Sequence, residues 1–418
     1  MKYLLCIIAA LFTLQPCFGQ GVVGALLEKP TMNKYEAEII SEAQKLNDDK
    51  KAYALLLEHS SKSWAGAPLL FNLGNISYKG GRYSEAEQHY KKALEKQKFF
   101  ACYKNLGYAL AAQSKLPEAR RAFLKALAIS GNSDVQCLMW LADNSAGNGD
   151  YTAALAMCAQ ALIYQPDNAD LMYAQSLFLS KTGMFSSAIS AAFAAFEKTG
   201  QSRFLKICAM CAVELGDKPG ALSYMEMFGA LDALERSDLF LMGDLYLSIG
   251  ARAKAVDLYA RAPFSDTKLA NAAFASLNAG DFQTARIAAS KIADAPLRLR
   301  VSGLAAARAS KNWEAKEKLE SYLKKNKTDM LVTAELAEVY FSLKDYISSA
   351  AMFARLRADP SREKTALYGL LRSAVARKSY AQAVAYAEDI AQKYPSREIE
   401  KVEKKLREYA DELEKSPR

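Results

Sequence analysis

The sequence predicts an all-α protein, a solenoid of about eleven stacked helix pairs closed by one capping helix. Three observations carry this. Alanine recurs in one similar context at Ala52, Ala86, Ala119, Ala154, Ala188, Ala221, Ala255, Ala285 and Ala315, with Ser349 and Ala383 completing the series. Successive gaps are 34, 33, 35, 34, 33, 34, 30, 30, 34 and 34 residues. A second series of mostly small residues runs about twelve positions upstream of each: Gly74, Gly107, Ala142, Ser176, Ala209, Gly243, Ala273, Gly303 and Ala337. With 11 Pro and 21 Gly in 418 residues, the chain also lacks the punctuation of a strand-and-turn architecture. So steady a period over eleven units marks a repeat array in which neighbours bury each other's faces.

Taken in order, residues 1–19 read as a secretory signal peptide. Lys2 gives the positive start, residues 4–14 the short apolar run, Pro16 the helix break, and Cys17 and Gly19 of Cys17-Phe18-Gly19 the small residues at the two recognition positions for cleavage after Gly19. The run of eleven is too short to cross a bilayer core, which needs about 20 residues. A lipoprotein signal with Cys17 as the lipidated residue is the rival reading, although Gln15-Pro16 fits it poorly. The mature chain is therefore expected to be exported: periplasmic in a bacterium with two membranes, otherwise secreted. Residues 20–32 form a leader segment before the array at 33–397.

Each unit of the array carries two apolar stripes at i, i+3, i+4, i+7, separated by a turn such as Gly80-Gly81-Arg82, Asn148-Gly149-Asp150 or Ala279-Gly280-Asp281. Glycine ends the first helix at positive φ, and Asp or Ser caps the second. The small residue of the first helix and the alanine of the second mark a close approach. Tyr90, Phe123, Met225, Tyr259, Leu319 and Phe353 fill the space beside it. Tyr83, Tyr151, Phe185, Phe282, Tyr346 and Tyr380 close the corners, while Trp313 stands one residue out of place. The two 30-residue gaps mark shortened units. Residues 398–418 form the cap, with Ile399, Val402, Leu406, Tyr409 and Leu413 on one stripe and pairs such as Glu403–Arg407 on the outer face.

Most of these residues are shared with a known family. The unit at 67–98, with Leu70, Leu73, Gly74, Gly81, Tyr83, Ala86, Tyr90 and Ala93, resembles the tetratricopeptide repeat, and the resemblance extends over roughly residues 33–397. It implies a right-handed superhelix whose first helices line a concave groove. It also implies a non-catalytic scaffold or adaptor binding protein partners, an extended peptide or a helix, in that groove. In a cell envelope, the family's jobs include assembly of secretion, pilus, outer-membrane or polysaccharide-export complexes. In the family's register the partner-binding residues are Phe71, Asn75, Tyr78, Lys104, Tyr108, Met139, Tyr173, Met210, Phe240, Phe274, Arg300, Arg308, Phe341 and Tyr368, with Asp143, Leu177, Lys206, Asp244, Leu304 and Glu338 on the same face. Aromatic anchors of this kind supply much of the energy at interfaces. Several of them also suit gaps between neighbouring first helices. Chaperone-binding members clamp a C-terminal carboxylate with Lys and Asn. Here Asn75 and Asn105 match, but Phe71, Gln136 and Trp140 replace the basic residues, so that mode is not expected.

Residues for catalysis or metal binding do not converge. His59 and His89, the two histidines of the chain, lack Cys or carboxylate partners at ligand spacing, and no phosphate loop or nucleophile motif occurs. No enzyme activity, cofactor or metal is expected. Cys208-Ala-Met-Cys211 matches a redox string, yet its apolar flanks read as buried helix, and with Cys102, Cys137 and Cys158 the mature count is odd. The formal charge of +9, reduced by loss of Lys2, is spread too thinly to imply nucleic acid. Residues 298–327 are locally basic, which fits either a solvated helix face or a seat for an anionic polysaccharide touching Arg300 and Arg308.

Overall fold

The computed structural model describes residues 29–415 and divides the chain into two compact units, Met1–Gly216 and Asp217–Arg418. The signal peptide expected at 1–19, with Cys17, most of the leader segment and the side chain of Leu413 lie outside the described residues. Twenty-three α-helices and no strand occur among the described residues. In the first unit these are α1 (Lys34–Lys45), α2 (Asp49–His59), α3 (Ala67–Lys79), α4 (Tyr83–Lys96), α5 (Phe100–Ala112), α6 (Leu116–Ile129), α7 (Val135–Gly147), α8 (Tyr151–Tyr164), α9 (Ala169–Lys181), α10 (Phe185–Thr199) and α11 (Arg203–Glu214). The second holds α12 (Lys218–Leu231), α13 (Arg236–Ser248), α14 (Arg252–Arg261), α15 (Asp266–Asn278), α16 (Phe282–Ser290), α17 (Ala295–Arg308) and α18 (Asn312–Lys325). It ends with α19 (Met330–Ser342), α20 (Tyr346–Leu356), α21 (Glu363–Ala376), α22 (Tyr380–Lys393) and α23 (Arg397–Lys415).

One backbone device makes every hairpin. Five residues before each alanine of the main series, and before Ser349, stands a residue with positive φ: Asn47, Gly81, Ser114, Gly149, Gly183, Gly216, Gly250, Gly280, Ser310, Lys344 and Lys378. The left-handed residue lets the next N–H turn back onto the finishing helix. Thus Arg82 N–H donates to the Ser77 carbonyl at 2.8 Å and Asp345 N–H to that of Tyr340 at 2.9 Å. Asp150, Asp281 and Asp345 then cap the second helices by accepting from the backbone N–H of Ala153, Thr284 and Ser348.

In four pairs the helices approach closely because one side chain is missing. A Cβ on Gly74 would stand 2.4 Å from the Tyr90 ring, and one on Gly243 would stand 2.3 Å from Tyr259. Gly107 receives Phe123 and Gly303 receives Leu319 in the same way. Tyr90, Phe123, Tyr259 and Leu319 are all buried, each ring or isobutyl group contributing about 1.5–3 kcal/mol relative to exposure. The alanines opposite are buried too, as are all five cysteines of the described chain. Where the sequence departs from the corner pattern the structure follows: Trp313 is 72% exposed.

The last helix covers the end of the second unit. Ile399 and Leu406 of α23 pack with Ala383, Ala387 and Ile390 of α22, and Tyr409 stacks on Tyr380 at 6.2 Å. Arg407 donates to Glu403 at 2.8 Å and Glu388 at 2.6 Å. Val402 and Tyr409 stay exposed, so the apolar stripe is covered only in part.

Candidate functional site

The first-helix face of the first unit carries a small pocket of about 260 Å³, lined by Asn75 and Tyr78 of α3, Tyr90 of α4, and Asn105 and Tyr108 of α5. Its construction starts at Gly74. Without a Cβ there, the Tyr90 ring lies directly beneath α3 and its hydroxyl emerges at the inner face, donating to Asn75 Oδ1 at 2.9 Å. Asn105 Nδ2 donates to the same oxygen at 2.8 Å. Two donors fill the lone pairs of that carbonyl. Asn75 Nδ2 and Asn105 Oδ1 keep no partner among the described residues, so a donor and an acceptor stand side by side at the pocket. Tyr78 is exposed and meets Tyr83 edge-on at 5.3 Å, and Tyr108 is half-buried against Phe123 at 4.9 Å. Burial raises the Tyr108 phenol above its ordinary pKa, so it stays a neutral hydroxyl.

A second hollow of about 390 Å³ shares Asn75 and continues along α3 over Asn72, Ile76 and Lys79 towards Gln44, Asn47 and Asp49. Lys79 bridges it to Asp49 at 2.7 Å, an exposed pair worth little in stability. Beyond the pocket, Asp143 and Met210 are also solvent-facing, Met210 at 54% exposure.

The remaining inner-face residues mostly tie one pair to the next. Phe71 is half-buried between Tyr90 and Phe99, at 5.8 and 5.3 Å, and Met139 packs against the core of the first unit. Lys104 reaches Asp134, the N-cap of α7, at 3.0 Å. Tyr173 lies against Phe204 with the Arg203 guanidinium 5.0 Å from its centre; Leu177 and Lys206 are half-buried. In the second unit, Asp244 accepts from Tyr259 at 2.6 Å and from Lys268 of α15 at 2.8 Å. Phe240 packs on Tyr259, and Phe274 lies beneath Arg300 at 5.5 Å. Arg300 in turn reaches Asp329, the N-cap of α19, at 2.7 Å. Leu304 is buried, Arg308 contacts Asn278 at 3.0 Å and Glu335 at 3.6 Å, and Glu338 accepts from Arg372 of α21 at 2.8 Å. Phe341 sits under Arg372 at 4.6 Å, and Tyr368 packs into the terminal cluster.

Sequence reasoning assigned Tyr90 to packing alone and read Asn105 only against the chaperone clamp. The signal for both is a spacing. The ring residue lies 15 positions after the residue that follows the small one, and Tyr259 repeats the pattern by bonding Asp244.

Reactive groups are placed for structure. His89 Nε2 lies 3.2 Å from the Tyr53 hydroxyl, and burial lowers its pKa; His59 Nδ1 is 2.9 Å from the Leu55 carbonyl. Burial pushes the thiols of Cys158 and Cys208 up to about 12 and raises those of Cys102, Cys137 and Cys211 as well. No group of three or more His, Cys, Asp or Glu that could hold a metal ion occurs among the described residues. None of the described helices is long and apolar enough to cross a membrane.

Family models of the tetratricopeptide repeat match residues 67–98, 100–131 and 141–203. No curated protein matches the chain. Among solved structures, YrrB, a TPR protein with an unusual peptide-binding site, is 18% identical at a TM-score of 0.40, over 44% of this chain and 95% of its own. Naa15/Naa10 bound to HypK-THB is 14% identical at 0.43, over 84% and 68%. The C-terminal part of a TPR repeat-containing protein from Cytophaga hutchinsonii is 14% identical at 0.42, over 60% and 93%.

Proposed function

We propose that this tetratricopeptide-repeat protein is a non-catalytic scaffold of the cell envelope that holds an extended segment of a protein partner on the first-helix face of its first unit. The observation that carries this reading is the open donor and acceptor of Asn75 and Asn105, flanked by Tyr78, Tyr90 and Tyr108. A peptide group offers one acceptor and one donor, so side-by-side amides suit a backbone, and the phenol faces suit an adjacent apolar or proline side chain. The first 19 residues would deliver the protein across the inner membrane, and assembly of a secretion, pilus, outer-membrane or polysaccharide-export complex is the setting this location supports. Binding of an anionic polysaccharide along 298–327 is the weaker reading, because Arg300 and Arg308 would have to leave Asp329 and Glu335.

The experiment is a photoreactive residue at Tyr108 in the living organism, with adducts sequenced by mass spectrometry. One dominant envelope protein, lost in the Asn75→Ala/Asn105→Ala variant, is the expected result. No protein adduct, or an adduct indifferent to both asparagines, refutes the site. Sequencing of the mature N-terminus tests export separately; an unprocessed Met1 removes the envelope from the proposal.

A further inference from the structure

Two sequence features find no use in that groove: the shortened pairs and the basic stretch that begins at Arg298. They meet in the second unit. Helix α16 has nine residues where α12 and α18 have fourteen. Beside it a cleft of about 590 Å³ is lined by α16, α17 and α18. Its walls carry Arg286 and Ile287 from α16, Arg298 and Leu299 from α17, and Glu314 and Lys318 from α18. Ile287 is 45% exposed, an apolar side chain left open in the middle of a helix.

The charges of the cleft do not cancel. Glu314 accepts from Lys318 at 2.6 Å, which neutralises both. Arg286 forms no ion pair among the described residues, and Arg298 donates to the carbonyl of Ile292 at 2.9 Å without meeting a carboxylate. Arg286 also helps hold the Glu314 carboxyl below its ordinary pKa, yet the lining still carries Arg286, Arg298 and Lys318 against that one carboxylate, so what remains is an apolar strip edged by an excess of positive charge. Arg300, Arg308 and Lys316 add little to it, since they have Asp329, Glu335 and Glu320 as partners.

We propose that this cleft is a second docking site, on the second-helix face, for an acidic amphipathic helix of a protein partner. Such a helix lies in the slot lined by α16, α17 and α18. Its apolar side chains cover Ile287 and Leu299, and its carboxylates reach Arg286 and Arg298, where bidentate pairing adds orientation to attraction. The site is independent of the pocket at Asn75, so the protein can join two partners.

The test places a photoreactive residue at Ile287 of the full chain in its own organism and sequences the crosslinked peptide. The expected adduct is a protein segment with apolar residues at helical spacing and flanking Asp or Glu. Its yield should fall on the order of tenfold in Arg286→Glu/Arg298→Glu, the scale of losing a central interface arginine, while adducts from Tyr108 persist. Both arginines are exposed, so the variant should fold, which circular dichroism checks. With purified protein, a labelled Glu/Leu amphipathic 18-residue peptide should bind and its Lys/Leu counterpart should not. An adduct that survives charge reversal, a glycan, lipid or second copy of this chain as the adduct, the absence of any adduct, or equal binding of the two peptides would each overturn the proposal.

Discussion

Replacing Gly243 by alanine tests the close approach seen in the pairs that carry glycine at this position. The substitution is made in mid-helix, where alanine is favoured over glycine by about 1 kcal/mol, so propensity alone predicts stabilisation. The structure predicts the reverse. The new methyl would lie 2.3 Å from Tyr259 Cε1 and 2.8 Å from Cδ1 and Cζ. The ring cannot retreat freely, because it is fully buried and its hydroxyl donates to Asp244 at 2.6 Å. Overpacking costs about 1–3 kcal/mol, and stretching a hydrogen bond to a charged acceptor costs about as much again. After the propensity gain, a net loss of about 1–5 kcal/mol is expected. Gly81→Ala is the contrast: nothing lies within 4 Å of its Cβ, and its φ of +72° leaves only a backbone penalty, about 1 kcal/mol.

Repeat arrays open locally, so a single melting temperature would blur the effect. Native-state hydrogen exchange of the full chain, followed by mass spectrometry, reads α13 and α14 separately, with α3 and α4 as the internal reference. Faster exchange in α13 and α14 alone is expected. Combining Gly243→Ala with Tyr259→Ala should show a large favourable coupling, because the methyl then enters vacated space. Unchanged or stronger protection in the single variant would refute the close-approach reasoning.

Three further outcomes follow from the same structure. Lys344→Gly and Ser114→Gly should each stabilise their pair by about 0.5–1 kcal/mol by removing a left-handed non-glycine residue, net of glycine's extra chain entropy, and slower local exchange would show it. Burial opposes ionisation of Glu87, but hydrogen bonds from Lys115, Lys91 and Gln113 hold its pKa down at about 2. Its contribution should therefore be complete above about pH 4.5 and fade as pH falls towards 2. With both lysines about half exposed, it should amount to roughly 1–2 kcal/mol, absent from the acid unfolding curve of Glu87→Gln. In native protein the five buried cysteines should all resist alkylation; prompt labelling of Cys208 or Cys211 would contradict their packing role.

The period, the helix pairs and the close approaches were legible because each depends on residues within one repeat. Gly74 and Tyr90 are 16 positions apart and meet in every unit that has the pattern. The hairpin residue was legible only as glycine, since Ser114, Ser310, Lys344 and Lys378 take the same left-handed turn without announcing it. Their neighbours enforce a conformation that their own chemistry disfavours. The fate of the inner-face charges was hidden for a different reason. Whether Lys104 or Arg300 faces a ligand depends on an acid 30 or 29 residues ahead, at the N-cap of the next first helix, where Asp134 and Asp329 stand.

That dependence explains which groups remain for a partner. On a face built from stacked first helices, a charged side chain tends to find its counterion on the adjacent repeat, as Asp244 finds Lys268 and Glu338 finds Arg372. Satisfied ion pairs of this kind have little left to give a ligand. An amide differs because it carries a donor and an acceptor at once. When Asn105 donates to Asn75, each keeps its other half, and the contact that fixes the side chains also orients what is left over. Separating the two roles requires substitutions at each end. Asn105→Asp keeps an acceptor beside Tyr108 but sets a carboxylate against Asn75 Oδ1, so the tie should break and binding should fall with it. Asn105→Ser is small enough to leave the fold intact and, if the reoriented amides carry recognition, should still weaken the crosslink at Tyr108. Full binding by both variants would show that the tyrosines alone make the site.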